Sequence, residues 1–486
     1  MTFLSPLAPS CSRENNLCLN PPIIYTTTTD PATSSQHPCT LRKPRGVELT
    51  RPFSLHVRIE GMSSAKRGGI FTGFGFGAIQ AGLFTLEALR ENAFEQVVVC
   101  EISGTLVERV RANNGLFSVN IAHPDGIETM KLGPIDILNP ESATDRELIV
   151  DKLRRSREAA TAVPSVDVYT AGGPASIHQL LAEASLAERN APLVVYTAEN
   201  DNRAAELLAG AVRGAAELPE DDFNRKISFV NTVIAKMSGV ITAPEEIASR
   251  GLETLAPGHD SAILVEEFNQ ILISTPRVPP GGDWQPSFST FETREDLLPF
   301  EEAKLHGHNG VHAMGAYLAE LLGRTRMDEL GSVPGAIDCL HGALVDESGA
   351  ALLKKYGGID ELFTPAGFAR HAEELIPRML NPHLGDLVAR VARDPGRKLG
   401  WNDRLAGTLR LGLETGIDMP RFALAAAAAL AYIDPSLKNS ADTPRPILES
   451  LWKKDTPAAT EAAAVCSLIE AGLERLRTIP PDHLFT

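Results

Sequence analysis

Apolar residues first fall into a pattern at Ile70-Phe71-Thr72, a short run that stops at a cluster of glycines. A helical spacing follows in Leu83, Leu86 and Leu89, and then the run Gln96-Val97-Val98-Val99-Cys100. A short run rich in β-branched residues predicts a strand buried on both faces of a parallel sheet. Residues 166–169, 193–196 and 227–230 read the same way, with helical stretches between them. Residues 269–273 predict a last strand. Strands alternating with helices predict a doubly wound α/β sheet of the Rossmann type.

The proline-rich stretch 275–282 breaks this alternation and predicts a domain boundary. Beyond Leu298 the apolar spacing is helical almost throughout, with stops at Gly323, Gly357-Gly358 and Pro382. The expected organisation is therefore an extension over 1–65, a Rossmann-like dinucleotide-binding domain over 66–278, and an all-helical catalytic and substrate domain over 279–486. The extension is rich in Ser, Thr and Pro, includes Thr26-Thr27-Thr28-Thr29, and has no periodicity. Such a segment cannot bury enough apolar surface to offset its ordering entropy, so disorder is expected there. Met62 would make a natural start just before the first strand.

The most apolar stretch, 422–433, is mostly alanine and ends at Asp434-Pro435. It falls short of the roughly 20 residues needed to cross a bilayer, and predicts a buried helix instead. No membrane partner is expected. The chain has 486 residues and a formal net charge of -16. That sign argues against nucleic acid, whose phosphates call for a basic face. Six scattered cysteines make no disulfide framework and no CxxC pair, which suits a reducing cytoplasm. The sequence leaves the oligomeric state open.

Candidate chemistry begins where the first strand meets Gly75-Phe76-Gly77-Ala78-Ile79-Gln80. Free N–H groups at a helix start attract a pyrophosphate, and glycines let it approach them. Gln80 stands where a third glycine is usual, and reading the motif one step earlier gives a glycine–alanine variant at Gly73, Gly75 and Ala78. Glu101 ends the second predicted strand, where an acid ordinarily bonds the ribose hydroxyls. Its charge would repel a 2′-phosphate, so NAD is the expected cofactor rather than NADP.

A second set begins at Leu298-Pro299-Phe300-Glu301-Glu302, a helix start with proline and acids in the first turn. Lys304, Asn309 and His312 follow. At about 100° per residue, Asn309 and His312 lie roughly 60° apart, and Lys304 and His312 roughly 80° apart. One wide face presents all three. The set suits alcohol oxidation: a desolvated lysine accepts the hydroxyl proton, an asparagine amide supports the reacting oxygen, and a neutral histidine orients a neighbouring hydroxyl. A solvated helix face is the plainer alternative. His306 and His308 lack the carboxylate or thiolate partners of a metal site, so no metal is expected.

Lys304-x4-Asn309-x2-His312 resembles the catalytic signature of the polyol-specific long-chain dehydrogenases, the mannitol dehydrogenase family. The resemblance covers most of residues 69–435. Phe74-Gly75-Phe76-Gly77-Ala78-Ile79-Gln80-Ala81-Gly82 is similar to the family's FGxGxIxRG turn, which favours the later glycine alignment. Ala171-Gly172-Gly173-Pro174 resembles the loop beside the cofactor, and implies contacts from Gly172 and Gly173. Glu199-Asn200 resembles an acid–asparagine pair, which implies that Asn200 helps bind the reacting oxygen. Glu347-Ser348-Gly349-Ala350 and Lys355-Tyr356-Gly357 resemble a block of the family's helical domain.

Arg393-Asp394-Pro395-Gly396-Arg397-Lys398-Leu399, with Asp403-Arg404-Leu405, is similar to a run in the family's phosphate-specific branch. Arg393, Arg397, Lys398 and Arg404 thereby become candidate ligands for a substrate phosphate, a role that suits guanidinium groups. The resemblance implies a metal-independent, NAD-linked exchange of mannitol 1-phosphate and fructose 6-phosphate, with Lys304 as general acid and base. A dehydrogenase of a free polyol or hexuronate is the alternative, and an inactive NAD-binding regulatory protein a more distant one. The chain departs from the family at Ile234-Ala235-Lys236-Met237, where a Val-Asp-Arg signature is usual. The missing acid implies the loss of a polar contact near the substrate.

Overall fold

A computed structural model describes residues 68–277, 284–440, 442–480 and 483–485. The expected extension over 1–65 lies outside the described residues. Among the described residues twelve strands form two sheets: Ile70–Phe74 (β1), Gln96–Cys100 (β2), Phe117–Ala122 (β3), Ile127–Leu132 (β4), Asp136–Leu138 (β5) and Ser156–Thr161 (β6). Leu193–Thr197 (β7), Ile227–Ile234 (β8), Ser238–Ile241 (β9), Ala262–Glu266 (β10), Ile271–Ser274 (β11) and Phe291–Arg294 (β12) complete them. The large sheet runs β12-β11-β8-β7-β6-β1-β2-β5.

From β5 to β8 every neighbour in that sheet is parallel. Counted along the chain, those six strands stand in the order of a doubly wound dinucleotide fold, with the reversal between β1 and β6. Such a reversal opens a crevice at the carboxyl ends of the strands. Apolar side chains cover both faces of the sheet: Val97, Val99, Val194 and Tyr196 on one, Val98, Val195 and Ile227 on the other.

The strand beside β1 is not the one the β-branched pattern pointed to. Residues 166–170 form a 3-10 turn, Val166–Thr170, in which only Tyr169 is buried. The place belongs to Ser156–Thr161, whose sequence SREAAT is buried by its central position rather than by hydrophobicity. The expected strand at 269–273 settles at Ile271–Ser274. It runs antiparallel to β8 and parallel to β12, which carries the sheet to Arg294, past the expected boundary at 278/279.

A second sheet, β4-β3-β10-β9, had no counterpart in the sequence reading. It seats the edge of the helical half. Arg378 grips Glu266 with two bonds of 2.7 and 2.8 Å and stacks over Phe268 at 3.8 Å. Asn381 donates to the His123 carbonyl (3.2 Å), and Arg250 to the carbonyls of His383 (2.6 Å) and Leu384 (3.1 Å).

From Leu298 onward the described chain is helical. Pro420–Ile433 is the expected buried helix, with every residue from Phe422 to Ala431 inside. Alanine lets its neighbours come close: a Cβ on Gly472 would lie 2.2 Å from the Ala423 carbonyl oxygen. Its first amides are capped by Glu347, which accepts from the N–H of Arg421 (2.9 Å) and of Phe422 (3.1 Å). A carboxylate there also meets the positive end of the helix dipole. No described helix is long and apolar enough to cross a membrane.

Candidate active site

A cavity of about 710 Å³ opens at the β1/β6 reversal. Gly75 turns the chain out of β1 with φ +82°, and its N–H donates to the Cys100 carbonyl at 2.8 Å. A Cβ there would approach the Ala162 carbonyl oxygen to 2.8 Å, so glycine is required on two grounds. Gly77, with open space where a Cβ would stand, leads into the helical turn at Ala78 and Ile79. Gly75, Gly77, Ala78, Ile79 and Glu101 all line the cavity. Glu101 spends one oxygen on the Ser103 N–H (2.7 Å), which holds its loop. Gly172 lines the cavity from the opposite wall, while Gly173 follows it in an exposed 3-10 turn outside the lining.

Gln80 does not face this cavity. It is fully buried in a π-helical turn, Gln80–Thr85, and its amide donates to Thr85 at 3.2 Å. A Cβ on Gly73 would sit 2.1 Å from the Gln80 side-chain nitrogen. The glycine that ordinarily lets helix and strand approach has thus moved from the helix to the strand. Several lining residues escaped the sequence reading, among them Glu141, a second carboxylate; Ile102, 65% exposed; and Ala198 at the end of β7. Among the described residues no lysine or arginine lines the cavity. Backbone N–H groups at a helix start, two acids and no cations suit a dinucleotide with free ribose hydroxyls, so the residues present fit NAD.

Lys304 stands on a second π-helical turn, Ala303–His308, which leads without a break into Asn309–Leu321. Such turns gather at functional sites and shift the angular phase of the helix beyond them. Burial, and then the Arg404 cation, bring the Lys304 ammonium down to about 8. Glu301, one turn earlier, is pushed up to about 7 by burial and by Glu206 and Asp296. The side chains of Lys304, Asn309 and Asn200 bond no other described residue. Asn200 lies exposed at the end of β7, and Asn309 is half-buried at the start of its helix.

His312 Nε2 lies 3.1 Å from the Asp386 carboxylate. Burial would raise Asp386, but His312 and Arg390 hold it below its ordinary value. His306 turns away to Thr408 (3.0 Å), whose hydroxyl donates to the Arg404 carbonyl (2.7 Å). His308 is buried, its Nδ1 has no partner among the described residues, and burial holds its pKa far down. Among the described residues no three such side chains converge in a way that could hold a metal ion.

The basic run divides. Arg404, partly buried, is the cation nearest in effect to Lys304, and bonds Asp403 at 2.8 Å. Arg397 bonds the other oxygen of Asp403 at 3.1 Å. Arg393 is exposed and donates to the Arg390 carbonyl at 3.3 Å. Lys398, expected among the phosphate ligands, instead turns inward. Its ammonium is buried, donates to the carbonyls of Val391 (2.6 Å) and Arg393, and is lowered to about 8 chiefly by burial. The turn around Pro395–Lys398 leaves those carbonyls without helical partners, and the lysine satisfies them.

At the departure from the family pattern, Lys236 likewise faces inward, bonding the carbonyls of Glu266 and Phe268 (2.8 Å). The Ala235 carbonyl accepts from Arg378 at 2.8 Å.

Residues 296–475 match the family profile described as Mannitol dehydrogenase C-terminal domain. The chain is 27% identical over 379 residues to a mannitol-1-phosphate 5-dehydrogenase of Brevibacillus brevis, covering 77% of this chain and 94% of that one. It is 28% identical over 366 residues to one of Exiguobacterium sibiricum, covering 75% and 85%. Among solved structures it resembles a D-sorbitol dehydrogenase in substrate-free form (TM-score 0.64, 16% identity, 85% of this chain, 98% of that one). It also resembles Pseudomonas fluorescens mannitol 2-dehydrogenase in a ternary complex with NAD and D-mannitol (TM-score 0.59, 17% identity, 87% and 94%). The helical half thus matches the profile of the mannitol dehydrogenase C-terminal domain, and most of the chain's length is similar to mannitol-1-phosphate 5-dehydrogenases.

Proposed function

We propose that this chain is an NAD-dependent cytoplasmic dehydrogenase that interconverts mannitol 1-phosphate and fructose 6-phosphate. The observation that carries the reading is Lys304 on its π-helical turn, brought to about 8 by burial and by the field of Arg404. NAD supplies the hydride acceptor. In oxidation the neutral Lys304 amine takes the hydroxyl proton of the reacting carbon, and in reduction its ammonium returns it. Asn200 and Asn309 donate amide hydrogen bonds to the oxygen as its charge develops. His312, steadied by Asp386, orients a neighbouring hydroxyl. Arg404, with Arg397 across Asp403, meets the phosphate, while Arg393 supplies field at longer range.

A second reading is a free polyol or a hexuronate as substrate. It is favoured by the inward turn of Lys398 and by the Asp403 carboxylate, which already engages two of the cations. NADH oxidation with fructose 6-phosphate and fructose side by side separates the two. Turnover of the phosphate ester alone is expected, and equal turnover of the free ketose rules out a phosphate site.

A further inference from the structure

The first mononucleotide half of the sheet, with Glu101 at its tip, is the adenosine side of the cleft. The second half, from β6 onward, then takes the nicotinamide. At its carboxyl edge lies a buried carboxylate with no part in the chemistry above. Glu199 is 8% exposed and follows Ala198, which lines the cleft. One of its oxygens accepts from the N–H of Val163 (2.9 Å), another lining residue. The other accepts from the hydroxyls of Thr161 (2.8 Å) and Tyr169. Thr161 and Thr197 are register partners at the ends of β6 and β7, and the Ala198 N–H donates to the Thr161 carbonyl at 3.0 Å. Glu199 thus ties together the two strand ends that floor this half of the cleft.

We infer that Glu199 is a charge-setting and positioning residue that favours the oxidised cofactor, its buried carboxylate attracting the positive nicotinamide ring of NAD+ and not the neutral ring of NADH. Three donors converge on the carboxyl. Burial leaves its pKa raised, and the bonds from Tyr169, Val163 and Thr161 offset only part of that rise. Acceptance from three donors is the arrangement of an ionised carboxylate. Among the described residues no lysine or arginine lines the cleft to cancel that charge. In a low-dielectric setting an uncancelled charge acts across several ångströms with little screening.

The inference rests on reading the cleft as the NAD site, but needs nothing of the polyol or of Lys304. Its test is binding without substrate: NADH by fluorescence and NAD+ by calorimetry, both at pH 8. In the unmodified protein NAD+ is expected to bind within about threefold of NADH. Glu199→Gln should weaken NAD+ about fivefold more than NADH. Tyr169→Phe, which keeps the charge, should leave the ratio of the two affinities unchanged.

Equal weakening of both forms by Glu199→Gln would reduce Glu199 to a structural tie and overturn the inference. Should that variant fail to fold, the unmodified protein still decides: NADH bound more than about tenfold tighter than NAD+ refutes a charge that favours the oxidised form. Failure to bind either form removes the cofactor reading and the inference with it. Binding of both with an unaffected ratio removes the inference alone.

Discussion

The two halves of this molecule build their parts of the site by different means. The Rossmann half uses backbone: Gly75 at φ +82°, the helix start at Ala78, and a cleft whose charges, among the described residues, are acidic. The helical half uses side chains whose proton affinities are set by burial and by one another, as at Lys304, Asp386 and Lys398. A backbone site tolerates many sequences that keep the turn, whereas a side-chain site fails when one group is exchanged. Changes in the first half should therefore register as stability or cofactor affinity, and changes in the second as rate and proton dependence.

The sharpest way to test that division is Lys304→Met. Turnover should fall about a thousandfold, the range of general acid–base catalysis, while NADH affinity by fluorescence stays within about twofold. A matching loss of NADH binding would erase the contrast. Next in size is Gly73→Ala, whose new methyl meets the Gln80 amide. It should cost about 1–3 kcal/mol of stability in urea melts, as overpacking does, and Gln80→Gly in the same chain should restore it. Rescue would establish that the fingerprint glycine has changed places.

Arg404→Ala should raise the KM for the phosphate ester about tenfold, the scale of one charge-assisted contact, and leave NADH binding alone. Arg393→Ala should do much less, and Lys398→Met should show its effect in melting temperature before KM. The smallest expected effect is a shift of profile. In the proposed mechanism polyol oxidation needs the neutral amine, so its kcat/KM should rise with pH and level off above about 8. Ketose reduction needs the ammonium and should fall through the same value. In Arg404→Ala, with a repelling cation gone, both inflections should move to higher pH.

These contrasts also account for what the sequence disclosed. The valine runs of β2 and β7 and the glycines after β1 are local signals, and each stands where its pattern pointed. β6 was illegible because SREAAT owes its burial to its neighbours, and the Val166–Thr170 turn deceived because β-branched residues also suit a short cover over Tyr169. The small sheet was hidden for the same reason. In the helical half, resemblance singled out Lys304, Asn309 and His312. No local pattern could point to Asp386, which reaches His312 across 74 residues of chain, or reveal that Lys398 turns inward. Whether a cation faces a ligand or its own backbone depends on which carbonyls the fold leaves unpaired.

The ties along the small sheet carry a mechanical consequence. Arg378 on Glu266, Asn381 on the His123 carbonyl and Arg250 on the carbonyls of His383 and Leu384 fasten the two halves along one border. Arg294, on the edge strand β12, adds a further tie to Asp360 at 3.2 Å. At the far border Asn202 of one half faces Leu298 and Glu302 of the other across a cavity of about 690 Å³, with no such bolt among these three residues. Of these borders the one at Asn202 is the less fastened, so a rotation of the two halves would open there, with the segment 378–386 as its pin.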